Sequence, residues 1–213
     1  TVLHCITSYP APENEYNVMC VKTFKERYGV ETGISDHSLS PILVPVLTAA
    51  FGGTAIEKHI TLSKKTDGLD DPVALEPEEF ATMVHCVHQT QAVINRWNKE
   101  SSASGKDLSS DCMNEIINQL AEQFGIQKVL EACGDGIKTL APSEEANYGR
   151  TNRSLHYMSS FEKGHVIQRD DIGILRTEKI LTPGIAPYLL DEVIGKTLTR
   201  SVTSGEGVQS GDY

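Results

Sequence analysis

Two segments of similar character, "GISDH" and "IEKH", each end in a histidine, His37 and His59, and Glu57 stands two residues before the second. Side chains alternate along a strand. In the predicted strand over 54–62, Ala55, Glu57, His59 and Thr61 therefore share one face, while Ile56, Lys58 and Ile60 share the other. Ser35 and His37 share a face of the preceding strand, and Leu3, Cys5, Thr7 and Tyr9 a face of the first. A helical stretch over 41–51 would return the chain, so that both imidazoles converge at the ends of adjacent parallel strands. Two neutral imidazoles with open positions beside them suit a catalytic divalent metal. The plainer alternative is a pair of histidines merely hydrogen-bonded at strand ends. Glu57, placed inward, would need a partner, because a buried carboxylate is costly unless a metal, a lysine or a substrate hydroxyl pairs with it. An interior salt bridge would satisfy it equally.

The other reactive side chains form no such constellation. His85 and His88 fall off the apolar face of their helix and are expected in solvent. His4 points outward from its strand and is expected to be packed or hydrogen-bonded. His156 and His165 lie in a different stretch of chain, and Cys5 has no base beside it, so it is expected to be a small core residue.

The elements that would carry these residues alternate. A strand begins the chain, a helix is predicted over 14–28 with Gly29 after it, and "VETGISDH" is a second strand. The helix over 41–51 stops at Gly52-Gly53, the third strand follows, and a long helix is predicted over 76–97. This order indicates a parallel sheet with crossover helices. "NKESSASGKDLSS" reads as an exposed loop or insertion, and helical periodicity returns over 113–133. After a Pro/Gly/polar linker the texture changes to short strand-like pieces broken by Gly and Asp. The net charge of −10 argues against nucleic acid and anionic membranes as partners. No run of about 18 apolar residues exists, so no span is expected, nor is a leader pattern visible. Five scattered cysteines without CxxC spacing fit reduced thiols in a cytoplasmic protein. Because the chain starts at Thr1, its numbering is expected to begin inside a longer protein.

"HCITSYPAPENEYN", "GISDHS", "IEKHITL", "DGLDDPVALEPEEF" and "GDGIKTLAPSE" resemble, in that order, the C-terminal half of the sialic acid (N-acetylneuraminate) synthase family. "RSLHYMSSFEKGHVIQRDDIGILRT" and "DEVIGKTLTRSV" resemble that family's antifreeze-like SAF domain. The likeness covers nearly the whole chain except an insert at about 98–127. It implies an α/β protein: the last three strands of a (β/α)8 TIM barrel over 1–138, a linker over 139–152, and a small β-rich SAF (β-clip) domain over 153–213. The early strands, with most phosphoenolpyruvate-binding residues, would lie upstream of Thr1.

The resemblance further implies a synthase that condenses phosphoenolpyruvate with N-acetylmannosamine or a related N-acetylated hexose and releases phosphate. His37 and His59 match the family's ligands to a divalent metal, Mn2+ or Mg2+, and with Glu57, its inward carboxylate, form the catalytic set. Tyr9 matches a sugar-contacting tyrosine, and Asp70 the aspartate of the usual "GPDH", with Leu69 and Asp71 replacing Pro and His. Thr7 stands where some members have Asn, and Ser35 is a further substrate-binding candidate. Arg176 matches an arginine that reaches the N-acetyl group from the partner subunit of a domain-swapped homodimer. Two alternatives remain: a legionaminic or pseudaminic type of synthase, and a non-catalytic carbohydrate-binding protein.

Overall fold

Three short strands, β1 (Val2–Cys5), β2 (Thr32–Asp36) and β3 (Ala55–Lys58), pair in parallel in the order β1-β2-β3. The computed structural model describes residues 1–148, 152–177 and 180–213, and the chain forms two units, Thr1–Glu144 and Glu145–Tyr213. Parallel pairing follows from the connections, since each strand feeds a helix that carries the chain back. The first is α1 (Cys20–Tyr28), closed by Gly29 at a left-handed φ of 62°. The second is α2 (Leu43–Ala50), whose side chains are apolar nearly all round and buried from Leu43 to Ala49. Such a helix must be covered on both sides: it packs on β2 and beneath α3 (Pro77–Ser104). Glu76 and Glu79 close a capping box at the start of α3.

The register sets Cys5 beside Ser35 and Ser35 beside Glu57, a row of three polar side chains across the sheet. One row earlier, Gly33 is required for close approach, because a Cβ there would lie 2.1 Å from the Ala55 carbonyl oxygen. Ile6, Ile34, Leu43, Val44 and Leu47 form the core behind the sheet, together with Ile116, Leu120 and Val129 from α4 (Ser109–Phe124) and α5 (Ile126–Cys133).

Several expected boundaries move. The helix predicted from residue 14 begins at Cys20, because Asn17 holds a positive φ of 48°. Its side chain accepts from the Gly136 N–H (2.7 Å) and donates to Asp135 and the Ile137 carbonyl. Those distant partners outweigh the local helical pattern. The third strand ends at Lys58 rather than running to 62; beyond it Ile60 makes only a single bridge to Leu75. The loop expected from residue 98 is mostly helix, since α3 continues to Ser104 and the connection spans only 105–108. The segment that follows packs into the main core. Ile116 and Leu120 of α4 are 1% and 5% exposed within the main core.

A four-residue helix, α6 (Pro142–Glu145), lies inside the stretch expected to be a linker, of which 149–151 fall outside the described residues. In the second unit, β4 (Arg153–Tyr157) pairs antiparallel with β5 (Ile172–Arg176). Isolated bridges such as Phe161–Val202 and Val166–Thr197 supply the rest of its β character. Its own core joins Leu155, Tyr157, Ile167 and Leu198 to Leu190 and Val193 of α7 (Leu190–Val193). Among the described residues no helix is long and apolar enough to cross a membrane.

Candidate functional site

Two residues beyond each member of the Cys5–Ser35–Glu57 row come Thr7, His37 and His59, past the last paired positions of the three strands. The parallel sheet thus delivers two successive rows of polar side chains to one end, where the chain leaves for its helices.

His37 is held most tightly. It is 4% exposed, and its Nδ1 lies 2.8 Å from the Ile6 carbonyl oxygen. A carbonyl can only accept, so Nδ1 carries the proton, and the Nε2 of the neutral ring presents a lone pair. Its nearest neighbour is the Ser35 hydroxyl at 3.4 Å, which donates its one proton to Glu57 Oε1 at 2.6 Å. The His37 N–H donates to the Tyr16 hydroxyl, and the Ala11 N–H donates to the His37 carbonyl at 3.0 Å. The backbone is thus pinned on both sides of His37, and the ring itself is held by the Ile6 carbonyl.

His59 lies with its ring centroid 5.4 Å from that of His37, and its Nδ1 is 3.7 Å from Asp70 Oδ2. Tyr9, about half exposed, stacks on His37 at 4.1 Å and meets His59 edge-on at 5.8 Å. Tyr9, Ser35, His37, Glu57, His59 and Asp70 thus lie together at this end of the sheet. Glu57, however, is exposed rather than buried. β3 is an edge strand of the described sheet, and no further strand covers its site face. In this chain its hydrogen-bond partner is the Ser35 hydroxyl.

Thr7 is engaged elsewhere. Its N–H and hydroxyl both donate to Glu144 Oε1, at 2.8 and 2.9 Å, and the Ala141 N–H donates to the other oxygen at 3.0 Å. Burial pushes the Glu144 carboxyl up, but these donors outweigh it, and the group titrates below the ordinary glutamate range. Arg176 is exposed at the end of β5 in the second unit. The thiol of Cys5 is pushed up by burial, which keeps it protonated and makes it a poor nucleophile. His4 is buried and its Nε2 contacts the Tyr16 carbonyl at 2.6 Å, while His85 and His88 are exposed.

Sequence reasoning missed the support behind His37. Lys58 Nζ lies 2.8 Å from Asp36 Oδ2, with the two side chains 1% and 0% exposed. The same ammonium bonds the Ser38 carbonyl, and Asp36 Oδ1 accepts the Ser38 N–H at 2.8 Å. Burial pulls the Lys58 ammonium down, with Asp36 opposing it. The Tyr16 hydroxyl is driven far up by burial and by the nearby Asp36 charge. The readable signal was a lysine and an aspartate at paired positions on the apolar faces of neighbouring strands.

Among the described residues no three His, Cys, Asp or Glu side chains converge closely enough to hold a metal ion unaided. The two imidazoles nevertheless fit a metal that takes its other ligands from water or substrate. The Nδ1–H of His37 is spent on the Ile6 carbonyl, which is how metal-binding histidines are usually oriented, and Nε2 keeps its lone pair.

The model of the NeuB family matches residues 1–99, and that of the SAF domain matches 153–212. Residues 1–99 belong to the NeuB family and residues 153–212 are a SAF domain. Among similar proteins, N,N'-diacetyllegionaminic acid synthase of Campylobacter jejuni is 28% identical over 206 residues, 97% of this chain and 48% of that protein. Pseudaminic acid synthase of the same species is 26% identical over 99% of this chain and 48% of that protein. The crystal structure of the spore coat polysaccharide biosynthesis protein SpsE of Bacillus subtilis superposes over 99% of this chain and 52% of that one, with a TM-score of 0.75. At 24% identity that likeness is one of fold, a mixed α/β fold. The chain spans about half the length of these relatives.

Proposed function

We propose that this NeuB-family chain is the C-terminal part of a nonulosonate synthase, in which 1–138 complete a (β/α)8 barrel and 153–213 serve as its SAF lid. The reaction joins C3 of phosphoenolpyruvate to the aldehyde carbon of an N-acetylated hexose, adds water at C2 and expels phosphate. The observation that carries this reading is the convergence of His37 and His59 under the Tyr9 ring, one row beyond the Ser35–Glu57 hydrogen bond. The relatives' names, both of nonulosonic acid synthases, support it.

A divalent ion, Mn2+ or Mg2+, held by His37 and His59 would supply Lewis-acid polarisation of the aldehyde. The chain's own groups do the rest. The Ile6 carbonyl fixes the tautomer of His37. Glu57, with one oxygen on Ser35, holds a sugar hydroxyl or accepts a proton. Tyr9 offers a flat apolar wall to the sugar, and Asp70 lies against the outer nitrogen of His59. Thr7, its hydroxyl proton given to Glu144, has only lone pairs left for substrate. Arg176 would close the site in trans, from the partner of a domain-swapped homodimer.

Phosphate release by the full-length protein, assayed with phosphoenolpyruvate plus either N-acetylmannosamine or a di-N-acetylated hexose, tests the reading. The name of the Campylobacter relative, a diacetylated acid synthase, favours the second sugar. Release that needs both substrates and Mn2+, and that falls at least a hundredfold in His37→Gln and His59→Gln, is expected. Sugar binding without phosphate release would overturn the enzyme reading in favour of a carbohydrate-binding protein.

A further inference from the structure

We propose that Lys58 is a positioning residue: through Asp36 and Tyr16 it fixes the turn that carries His37, and so sets which imidazole nitrogen faces the site. The inference rests on the synthase reading only in taking His37 as a site residue.

The geometry is that of a clamp. β3 sends Glu57 to one face, with His59 following just past its end, and Lys58 to the other, where Lys58 meets Asp36 of β2 at the paired register position. Asp36 immediately precedes His37, and Ser38 immediately follows it. The Lys58 ammonium bonds both flanking residues, Asp36 through its carboxylate and Ser38 through its carbonyl. Asp36 ties back to the Ser38 N–H, which closes a tight turn around His37. Tyr16 completes the set. Its hydroxyl feels the Asp36 charge and accepts the His37 N–H, and its own carbonyl contacts His4 Nε2.

None of these groups needs to touch substrate. What they determine is where the His37 ring sits, and its Nδ1 can reach the Ile6 carbonyl only from that place. A buried ion pair of this kind costs much of what it gains, so hydrophobic replacements often hold a fold as well. Its value here is geometric. The free imidazole prefers the proton on Nε2; the Ile6 carbonyl reverses that choice only while the turn holds the ring in reach. Lys58 therefore couples the strand that carries His59 to the tautomer of His37, and both imidazoles are placed by one clamp.

Two-bond 1H–15N spectra of the full-length protein with 15N-labelled histidine test this directly, the His37 signals being identified by their loss in His37→Gln. The wild-type protein should show the proton of His37 on Nδ1. The paired change Asp36→Asn/Lys58→Met removes both charges together and leaves neither buried alone. In the folded variant the His37 signals should move to a mixture containing the Nε2–H form, and Mn2+ affinity measured by calorimetry should fall about tenfold or more. In a His37→Gln background the same pair should cost almost no further affinity.

A folded pair variant with an unchanged His37 tautomer would overturn the proposal and leave Lys58 a packing residue. If the pair variant does not fold, Tyr16→Phe decides, since it removes the hydroxyl on the His37 N–H and introduces no charge. An unchanged tautomer there also overturns it. A tautomer shift accompanied by Mn2+ affinity insensitive to His37→Gln would support the clamp and sink the metal site of the synthase reading, so the two failures are distinct.

Discussion

Glu144 shows how one carboxylate can hold a loop that matters. It receives three donors, two of them from Thr7, and so anchors the start of the segment that carries Tyr9 over His37. Its acidity is lowered by those donors against the opposing effect of burial. A carboxyl whose folded value is depressed contributes stability that is complete above the ordinary glutamate range and is lost as pH falls through the folded value. Glu144→Gln should therefore destabilise at neutral pH by about 1.5–3 kcal/mol, the range for hydrogen bonds to a charged group. The gap between wild type and variant should close on acidification. Urea unfolding of both proteins across that range measures it; a gap that stays constant with pH would show that the charge plays no part.

At the scale of elements, the alternation of strand and helix could be read from hydrophobic period alone, because each helix needs an apolar stripe and each strand an alternating one. The row of Ser35 and Glu57 and the pair of His37 and His59 followed from the same period of two. What could not be read were the ends. Asn17 breaks the expected first helix only because Gly136, more than a hundred residues away, donates to it. Lys58 read as one of several outward side chains, and only the pairing of β3 with β2 revealed Asp36 as its partner. The contribution of α4 was missed for a related reason. Its polar surroundings suggested an insertion, while Ile116 and Leu120 reach the core from a face that composition averages out. Ile116→Ala should cost about 2–5 kcal/mol, as expected for a buried aliphatic truncation. Shortening the 105–108 connection to a minimal turn should cost far less. Thermal unfolding of the two variants, side by side, ranks them, and the reverse order would remove α4 from the core.

Two units with separate cores, one built around the parallel sheet and one around Leu155, Tyr157 and Leu198, make up the whole chain. In the synthase reading the second unit contributes Arg176, whose planar guanidinium can hold an amide oxygen through charge-assisted hydrogen bonds that a lysine does not reproduce. Arg176→Lys should then raise KM for the N-acetylated sugar about tenfold and leave KM for phosphoenolpyruvate nearly unchanged. Steady-state kinetics with both substrates varied would show it, and equal effects on the two would place Arg176 away from the sugar.

The division of labour along β3 has a consequence for mutational tolerance. Glu57 and, just past the strand's end, His59 serve one face and Lys58 the other, about a strand only four residues long. Because side chains alternate with a period of two, deleting or inserting one residue exchanges the faces completely. The ammonium would then stand in the site and an imidazole against the helices, with both Asp36 and Ser35 facing the wrong partner. In a systematic scan, single substitutions at Ala55 and Ile56 should be partly accepted, whereas every one-residue change of length between Thr54 and His59 should abolish function. Insertions of equal size at the exposed turn after Ser104 should pass. A strand this short keeps its meaning through its count of residues more than through the identity of each.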